Sequence, residues 1–211
     1  MDALIVVDVQ NDFCPGGALP VPRGDEVVPV INRLMPLFPL VVATQDWHPP
    51  DHCSFATNHP GKQPGEVVEL NGVPQILWPV HCVQGTPGAE FHPGLNTQLF
   101  QAVFRKGIDP AVDSYSGFYD NARRRATGLH EYLQENNVTR IFVCGLATDY
   151  CVKWTCLDGA ELGYQTFLIE DACRGVELMP GDVERSLRQL REAGVTIVSS
   201  ADLSSILEHR P

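Results

Sequence analysis

Arg140-Ile141-Phe142-Val143-Cys144-Gly145-Leu146-Ala147-Thr148-Asp149-Tyr150-Cys151 holds an apolar run, a glycine, a polar turn and a helix start within twelve residues. The run Arg140 to Cys144 is short and rich in branched and aromatic residues, as a strand buried on both faces must be. From Asp149 to Leu162 the pattern turns helical, and Gly163 follows as a C-cap residue should. A buried strand feeding directly into a helix is one unit of an α/β fold.

Working outward, the same alternation recurs. Downstream, the sequence predicts strand Gln165 to Ile169, helix Asp182 to Glu192 closed by Gly194, strand Val195 to Ser199 and helix Ala201 to Glu208. Upstream it predicts strand Gln101 to Phe104 and a helix over Asn121 to Asn136. Near the start come strand Ala3 to Val7, a Gly/Pro loop from Cys14 to Gly24, a helix over Asp25 to Leu37 that Pro36 ends, and strand Leu40 to Thr44. Such alternation argues for a parallel sheet covered on both faces. Gln45 to about Gly94 reads as one long irregular stretch, and a loop of that length inside a compact domain is usually functional.

Four chemically capable residues stand just past four of these runs: Asp8, Asp46, Lys106 and Cys151. In an open α/β sheet, ligands bind outside the carboxyl ends of the strands, so an acid, a metal-type acid, an amine and a thiol converge there. Cys151 falls in the first turn of its helix, where unpaired backbone N–H groups and the dipole favour thiolate. The alternative for any free cysteine is a small buried hydrophobe, the reading taken for Cys14, Cys53, Cys82, Cys144, Cys156 and Cys173. Asp8 could equally cap the following turn, and a strand-end lysine is ordinarily solvated, so the case for both rests on convergence.

The long loop carries Asp46-Trp47-His48-Pro49-Pro50-Asp51-His52 and, further on, His81. One carboxylate with imidazoles at short spacing is a donor set for one divalent ion, and such a mixed shell accepts Zn, Fe or Mn. Asp51 reads as a further ligand or as a partner orienting a histidine. His59, His92, His130 and His209 read as surface residues.

Composition narrows the rest. With 211 residues, 44% of them hydrophobic, the chain suits one compact domain over residues 1–211. A formal charge of -11 disfavours nucleic acid and anionic membranes, which are held by Lys and Arg, and favours a small neutral substrate. Seven cysteines without a CxxC pair suggest free thiols. No run reaches transmembrane length, and Asp8 interrupts the first apolar run before it can serve as a signal core, so a cytoplasmic location is expected. A homo-oligomer is compatible with all of this.

Five segments, Asp8-Val9-Gln10-Asn11-Asp12-Phe13, Gln45-Asp46-Trp47-His48, Trp78-Pro79-Val80-His81-Cys82, Phe104-Arg105-Lys106-Gly107 and Ala147-Thr148-Asp149-Tyr150-Cys151-Val152, together resemble the nicotinamidase/pyrazinamidase enzymes of the isochorismatase-like hydrolase superfamily. The resemblance runs in order from the first strand to about Ser200. It implies a three-layer αβα fold with a six-stranded, mainly parallel sheet, and a Cys-Asp-Lys triad mapping onto Cys151 as nucleophile, Asp8 as general base and Lys106. It also implies a divalent metal on Asp46, His48, His52 and His81, a cis peptide at Leu146–Ala147, and an oxyanion site at the Ala147 and Cys151 amides. Phe13 and Trp78 correspond to the aromatic pocket walls, with Tyr115 and Asn11 as further substrate-side positions. The activity implied is deamidation of nicotinamide, and by extension pyrazinamide, through a cysteine thioester in NAD salvage. The alternatives are a cysteine hydrolase of another small amide, an isochorismatase, which lacks the cysteine, and a metal-binding or redox-sensing module. Asn58 to Ile76 carries no motif.

Overall fold

The computed structural model describes residues 1–209. Its strands are β1 (Asp2–Val7), β2 (Leu40–Asp46), β3 (Val67–Leu70), β4 (Val73–Ile76), β5 (Ala102–Lys106), β6 (Arg140–Leu146), β7 (Gln165–Arg174) and β8 (Thr196–Val198). The helices are α1 (Val27–Leu34), α2 (Leu129–Glu135), α3 (Lys153–Glu161), α4 (Asp182–Glu192) and α5 (Leu203–Glu208). Six strands form one sheet in the order β5-β2-β1-β6-β7-β8, and every pairing in it is parallel.

β1, β2 and β6 are buried at every position, which is why their sequences run apolar instead of alternating. Between β1 and β2 the chain moves toward one edge of the sheet, and from β6 to β8 toward the other. Right-handed crossovers therefore put α1 on one face and α3 and α4 on the other. The reversal between β1 and β6 opens a crevice at their carboxyl ends, as doubly wound sheets do. The predicted three-layer αβα architecture is thus the observed one.

Three expectations need correction. The predicted helix over Asn121 to Asn136 is helical only from Leu129. Before it, the Asp120 carboxylate accepts hydrogen bonds from the Arg124 and Arg125 amides at 2.9 Å each, and Arg123 adopts φ 55° while pairing with Asp158 and Glu161. Those side-chain bonds replace the helical ladder. The long irregular stretch contains the antiparallel hairpin β3–β4, turned by Asn71-Gly72 at φ 54° and 79°. Two positive φ angles are what a type I′ hairpin turn requires. Finally, the helix expected from Asp149 begins as a π turn, Thr148–Val152, and becomes α-helical only at Lys153. Among the described residues, no helix is long and apolar enough to cross a membrane.

Candidate active site

Parallel register places the four strand-end groups side by side. Val7 pairs with Thr44 and with Gly145, and Asp46 pairs with Lys106, so Asp8, Asp46, Lys106 and the turn leading to Cys151 leave the sheet at one level. Asp8 itself sits at φ 48°, a left-handed conformation uncommon for a non-glycine residue and concentrated at functional sites.

Lys106 is the hub. Its fully buried ammonium lies 2.8 Å from Asp8 Oδ2 and donates to Asp46 Oδ1 at 2.5 Å, to the Ser114 carbonyl at 2.9 Å and to Cys151 Sγ at 3.3 Å. Cys151 Sγ and one carboxylate oxygen each of Asp8 and Asp46 lie within 4.8 Å of one another. Burial opposes a charged lysine here, but the two carboxylates outweigh it and hold Lys106 well above the ordinary lysine range. Asp46 is pushed upward by burial and pulled further downward by Lys106 and His48, ending well below the ordinary carboxylate range. Asp8 goes the other way, its carboxyl raised by burial to about 6 despite Lys106. Thr44 Oγ1 donates to Asp8 Oδ1 at 2.7 Å, whereas Oδ2 receives no hydrogen bond of good geometry. One lone pair of a poised carboxylate is therefore open toward the sulfur.

Burial weighs against the thiolate that the helix start favours. Burial drives Cys151 well above the ordinary thiol range, Asp8 and Asp46 add to it, and Lys106 does not offset them. A base able to take the thiol proton stands beside the sulfur in Asp8. The turn that carries it has the predicted cis bond at Leu146–Ala147, and the Ala147 carbonyl accepts the Tyr150 and Val152 amides at 3.1 Å each.

Beyond Lys106, the predicted metal ligands gather. Asp46 Oδ2 is 3.4 Å from His48 Nε2 and 3.9 Å from His81 Nε2, and the His48 and His52 rings stand 4.1 Å apart between centroids. Each imidazole is fixed through Nδ1: His48 to the Gly107 carbonyl at 2.9 Å, His52 to Ser54 Oγ at 2.7 Å and His81 to the Pro79 carbonyl at 2.7 Å. That arrangement orients Nε2 of all three rings inward, as in metal-binding histidines. His48 Nε2 and His52 Nε2 are buried without any hydrogen-bond partner, and burial lowers both His52 and His81 to about 4, leaving neutral donors. His48 goes the other way, Asp46 raising it against burial, and three buried imidazoles gathered beside a carboxylate fit a divalent cation. Gly107 is obligatory for this packing, since a Cβ there would fall 2.3 Å from His48 Cε1 at a backbone φ of 64°.

A pocket of about 420 Å³, open to solvent, joins these groups and is lined by Phe13, Trp78, Tyr115, Ala147 and Cys151 together with Asp46 and His81. Trp78 Nε1 donates to Tyr115 Oη at 3.2 Å, which fixes two of its walls. Asn11 lies outside this pocket. Its amide donates to the Pro87 carbonyl at 2.8 Å, because the short 3-10 turn at Asn11–Phe13 directs it toward the neighbouring loop. Its neighbour Gln10 is the buried one, bonding the Asp46 carbonyl and amide and the Ala89 carbonyl at 2.8 Å each. Sequence reasoning also missed Asp113 and Tyr150 in the pocket lining. Asp51 is exposed and does not join the cluster, whereas Cys53 and the five remaining cysteines are free thiols, Cys82 meeting the site through its carbonyl, which accepts the His48 amide at 2.9 Å.

Comparison with known proteins finds relatives along nearly the whole chain. The isochorismatase domain model matches residues 2–202. The chain is 48% identical to the nicotinamidase of Escherichia coli strain K12 over 204 residues, 95% of each protein. It superposes on the nicotinamidase/pyrazinamidase of Acinetobacter baumanii with a TM-score of 0.93 at 49% identity, covering 96% of this chain and 97% of that one. The pyrazinamidase of Pyrococcus horikoshii, solved in complex with zinc, gives a TM-score of 0.77 at 40% identity over 94% and 98% of the two chains. With a family model spanning nearly its whole length and full-length relatives at this identity, the chain belongs to the isochorismatase family.

Proposed function

We propose that this chain hydrolyses the carboxamide of nicotinamide to nicotinate and ammonia, and that pyrazinamide is cleaved by the same chemistry. The observation that carries the reading is the contiguity of Cys151, Asp8 and Lys106 with the Asp46, His48, His52 and His81 cluster, with Cys151, Asp46 and His81 lining one aromatic pocket. Relatives named for these activities cover the same residues.

In this scheme the pyridine ring enters between Phe13 and Trp78, with Tyr115 behind. Asp8 takes the thiol proton through its open Oδ2, and Cys151 Sγ attacks the carboxamide carbon. Lys106 keeps the resulting charges paired. The Ala147 and Cys151 amides receive the carbonyl oxygen as it becomes an oxyanion. Asp8 returns the proton to the departing nitrogen, ammonia leaves, and a nicotinoyl thioester remains on Cys151. Asp8, ionised again, accepts a proton from water; the hydroxide adds to the thioester, the C–S bond breaks, and the sulfur is reprotonated as nicotinate departs.

Asp46, His48, His52 and His81 would hold one divalent ion, Zn, Fe or Mn, which when bound would orient the pyridine nitrogen and withdraw electron density from the ring. The domain spans residues 1–211 and acts in the cytoplasm on a small neutral substrate, without nucleic-acid or membrane partners; its size and acidic composition support that assignment.

A coupled ammonia assay with nicotinamide and a panel of small amides, before and after chelation, tests the reading. Cys151→Ala should release no ammonia while retaining its metal content, and mass spectrometry of quenched wild-type protein should find a nicotinoyl adduct on the Cys151 peptide. Near-native ammonia release by Cys151→Ala would remove the nucleophile.

A further inference from the structure

Asp113 lies in a loop that none of the sequence motifs reached, yet its carboxylate is buried against the histidine cluster. One of its oxygens and one ring nitrogen each of His48 and His52 lie within 4.8 Å of one another, all three residues buried. The carboxylate is held in place from two sides. Oδ1 accepts the Ser114 amide at 2.8 Å and Oδ2 accepts Gln75 Nε2, from the β3–β4 hairpin, at 3.0 Å. Neither donor is charged. Among the described residues no lysine or arginine pairs with it, the Lys106 ammonium being engaged by Asp8 and Asp46.

A buried carboxylate without a cation is costly unless something of opposite charge completes its surroundings. The Nε2 atoms of His48 and His52, the two imidazoles grouped with Asp113, are buried without a hydrogen-bond partner. His48 stands in two groups of ligand atoms, with Asp46 and His81 in one and with His52 and Asp113 in the other, so the two carboxylates flank one imidazole. Asp46 offers the ion only Oδ2, since its Oδ1 already carries the short bond from Lys106.

We infer that Asp113 supplies the metal site with a second carboxylate, on the His52 side, as a ligand or as the acceptor for a water bound to the ion. The inference rests on the reading that the histidine cluster holds a divalent cation. Asp113 also lines the substrate pocket, and Gln75 ties it to the β3–β4 hairpin, so the same carboxylate joins that outer hairpin to the metal centre.

The test is zinc binding, measured on metal-free protein by competition with a chromophoric chelator. Asp113→Asn keeps the size and an acceptor for the Ser114 amide but removes the charge. It should weaken zinc binding at least tenfold, in line with the roughly 10–100-fold losses on removing partners around metal ligands. The rise in melting temperature on zinc addition should shrink with it, while the exposed control Glu69→Gln stays within twofold of wild type. Zinc affinity of Asp113→Asn within twofold of wild type overturns the inference while leaving the histidine site standing. Failure of the wild-type protein to take up zinc overturns the histidine site and the inference with it. If Asp113→Asn does not fold, crystals of the zinc-loaded wild type decide: the Asp113 carboxylate touching the ion or one of its waters supports the assignment, and its touching neither refutes it.

Discussion

Replacing Asp8 with asparagine should make the metal-free protein more stable at neutral pH while destroying its activity. In the folded chain the Asp8 carboxyl is raised from 3.8 to about 6, a net figure that already contains the favourable pull of Lys106 and the bond from Thr44. A group whose folded pKa lies above its unfolded value binds its proton more tightly when folded. Stability is therefore lost as pH rises from about 4 to about 6 and stays lost above that window. At 1.36 kcal/mol per pH unit, the ionised Asp8 costs about 3 kcal/mol at pH 7. Asparagine resembles the protonated acid in shape, can present Oδ1 to Lys106 and can donate its NH₂ to Thr44 Oγ1, a hydroxyl able to accept. Asp8→Asn and wild type should unfold alike near pH 4. At pH 7.5 the variant should melt roughly 6–12 °C higher, for about 2–4 °C per kcal/mol in a chain of this size. The assay is thermal or urea unfolding in the presence of a chelator at both pH values, alongside ammonia release by the metal-loaded protein, which should fall by about 10²-fold or more. A stability difference that does not change between pH 4 and 7.5, or a variant less stable at pH 7.5, would refute the reasoning.

Lys106→Met tests the hub from the opposite side. It leaves Asp8 and Asp46 buried without their cation, a change that costs about 3–5 kcal/mol in comparable buried pairs, and calorimetry should show a melting temperature roughly 6–20 °C lower. An unchanged transition would mean the ion pairs are idle. Gly107→Ala drives a methyl group to 2.3–2.4 Å from the His48 ring, so that ring must move and pull its Nδ1 from the Gly107 carbonyl. Metal affinity, read by chelator competition, should drop by about tenfold or more, and wild-type affinity would show that His48 tolerates displacement.

The central strands were legible because burial on both faces leaves no room for polar alternation, and the functional groups were legible because they interrupt or follow those runs. Asp8 at the end of Ala3 to Val7 and Lys106 at the end of β5 are such cases. The β3–β4 hairpin was overlooked although Asn71-Gly72 between alternating segments carried its signal, because the surrounding prolines and glycines read as a single loop. The helix over Asn121 to Asn136 was over-extended for a different reason. Its arginines and alanines favour a helix locally, but the Asp120 carboxylate takes the Arg124 and Arg125 amides. Gln10 and Asp113 could not be seen at all. Gln10 bonds residues 36 and 79 positions away, and Asp113 is bound by Gln75 from 38 positions away, so neither leaves a local pattern.

What assembles this centre is strand register as much as residue identity. Because side chains alternate across a strand, a slip of one residue between β2 and β5 would send either Asp46 or Lys106 to the opposite face of the sheet. The bond of 2.5 Å between them would be lost, and with it the link between the thiol side and the histidine side of the pocket. The register is pinned from outside the strands as well. Gln10 clamps the backbone of Asp46 through both its amide and its carbonyl, and Gln101 Oε1 accepts the Val41 amide at the other end of β2. These amide side chains act on backbone groups and never touch the pocket, yet they fix which side chains face it. Parallel pairing matters for the same reason. In an antiparallel sheet the carboxyl ends of neighbouring strands lie at opposite edges, and Asp8, Asp46 and Lys106 could not share one lysine-centred cluster.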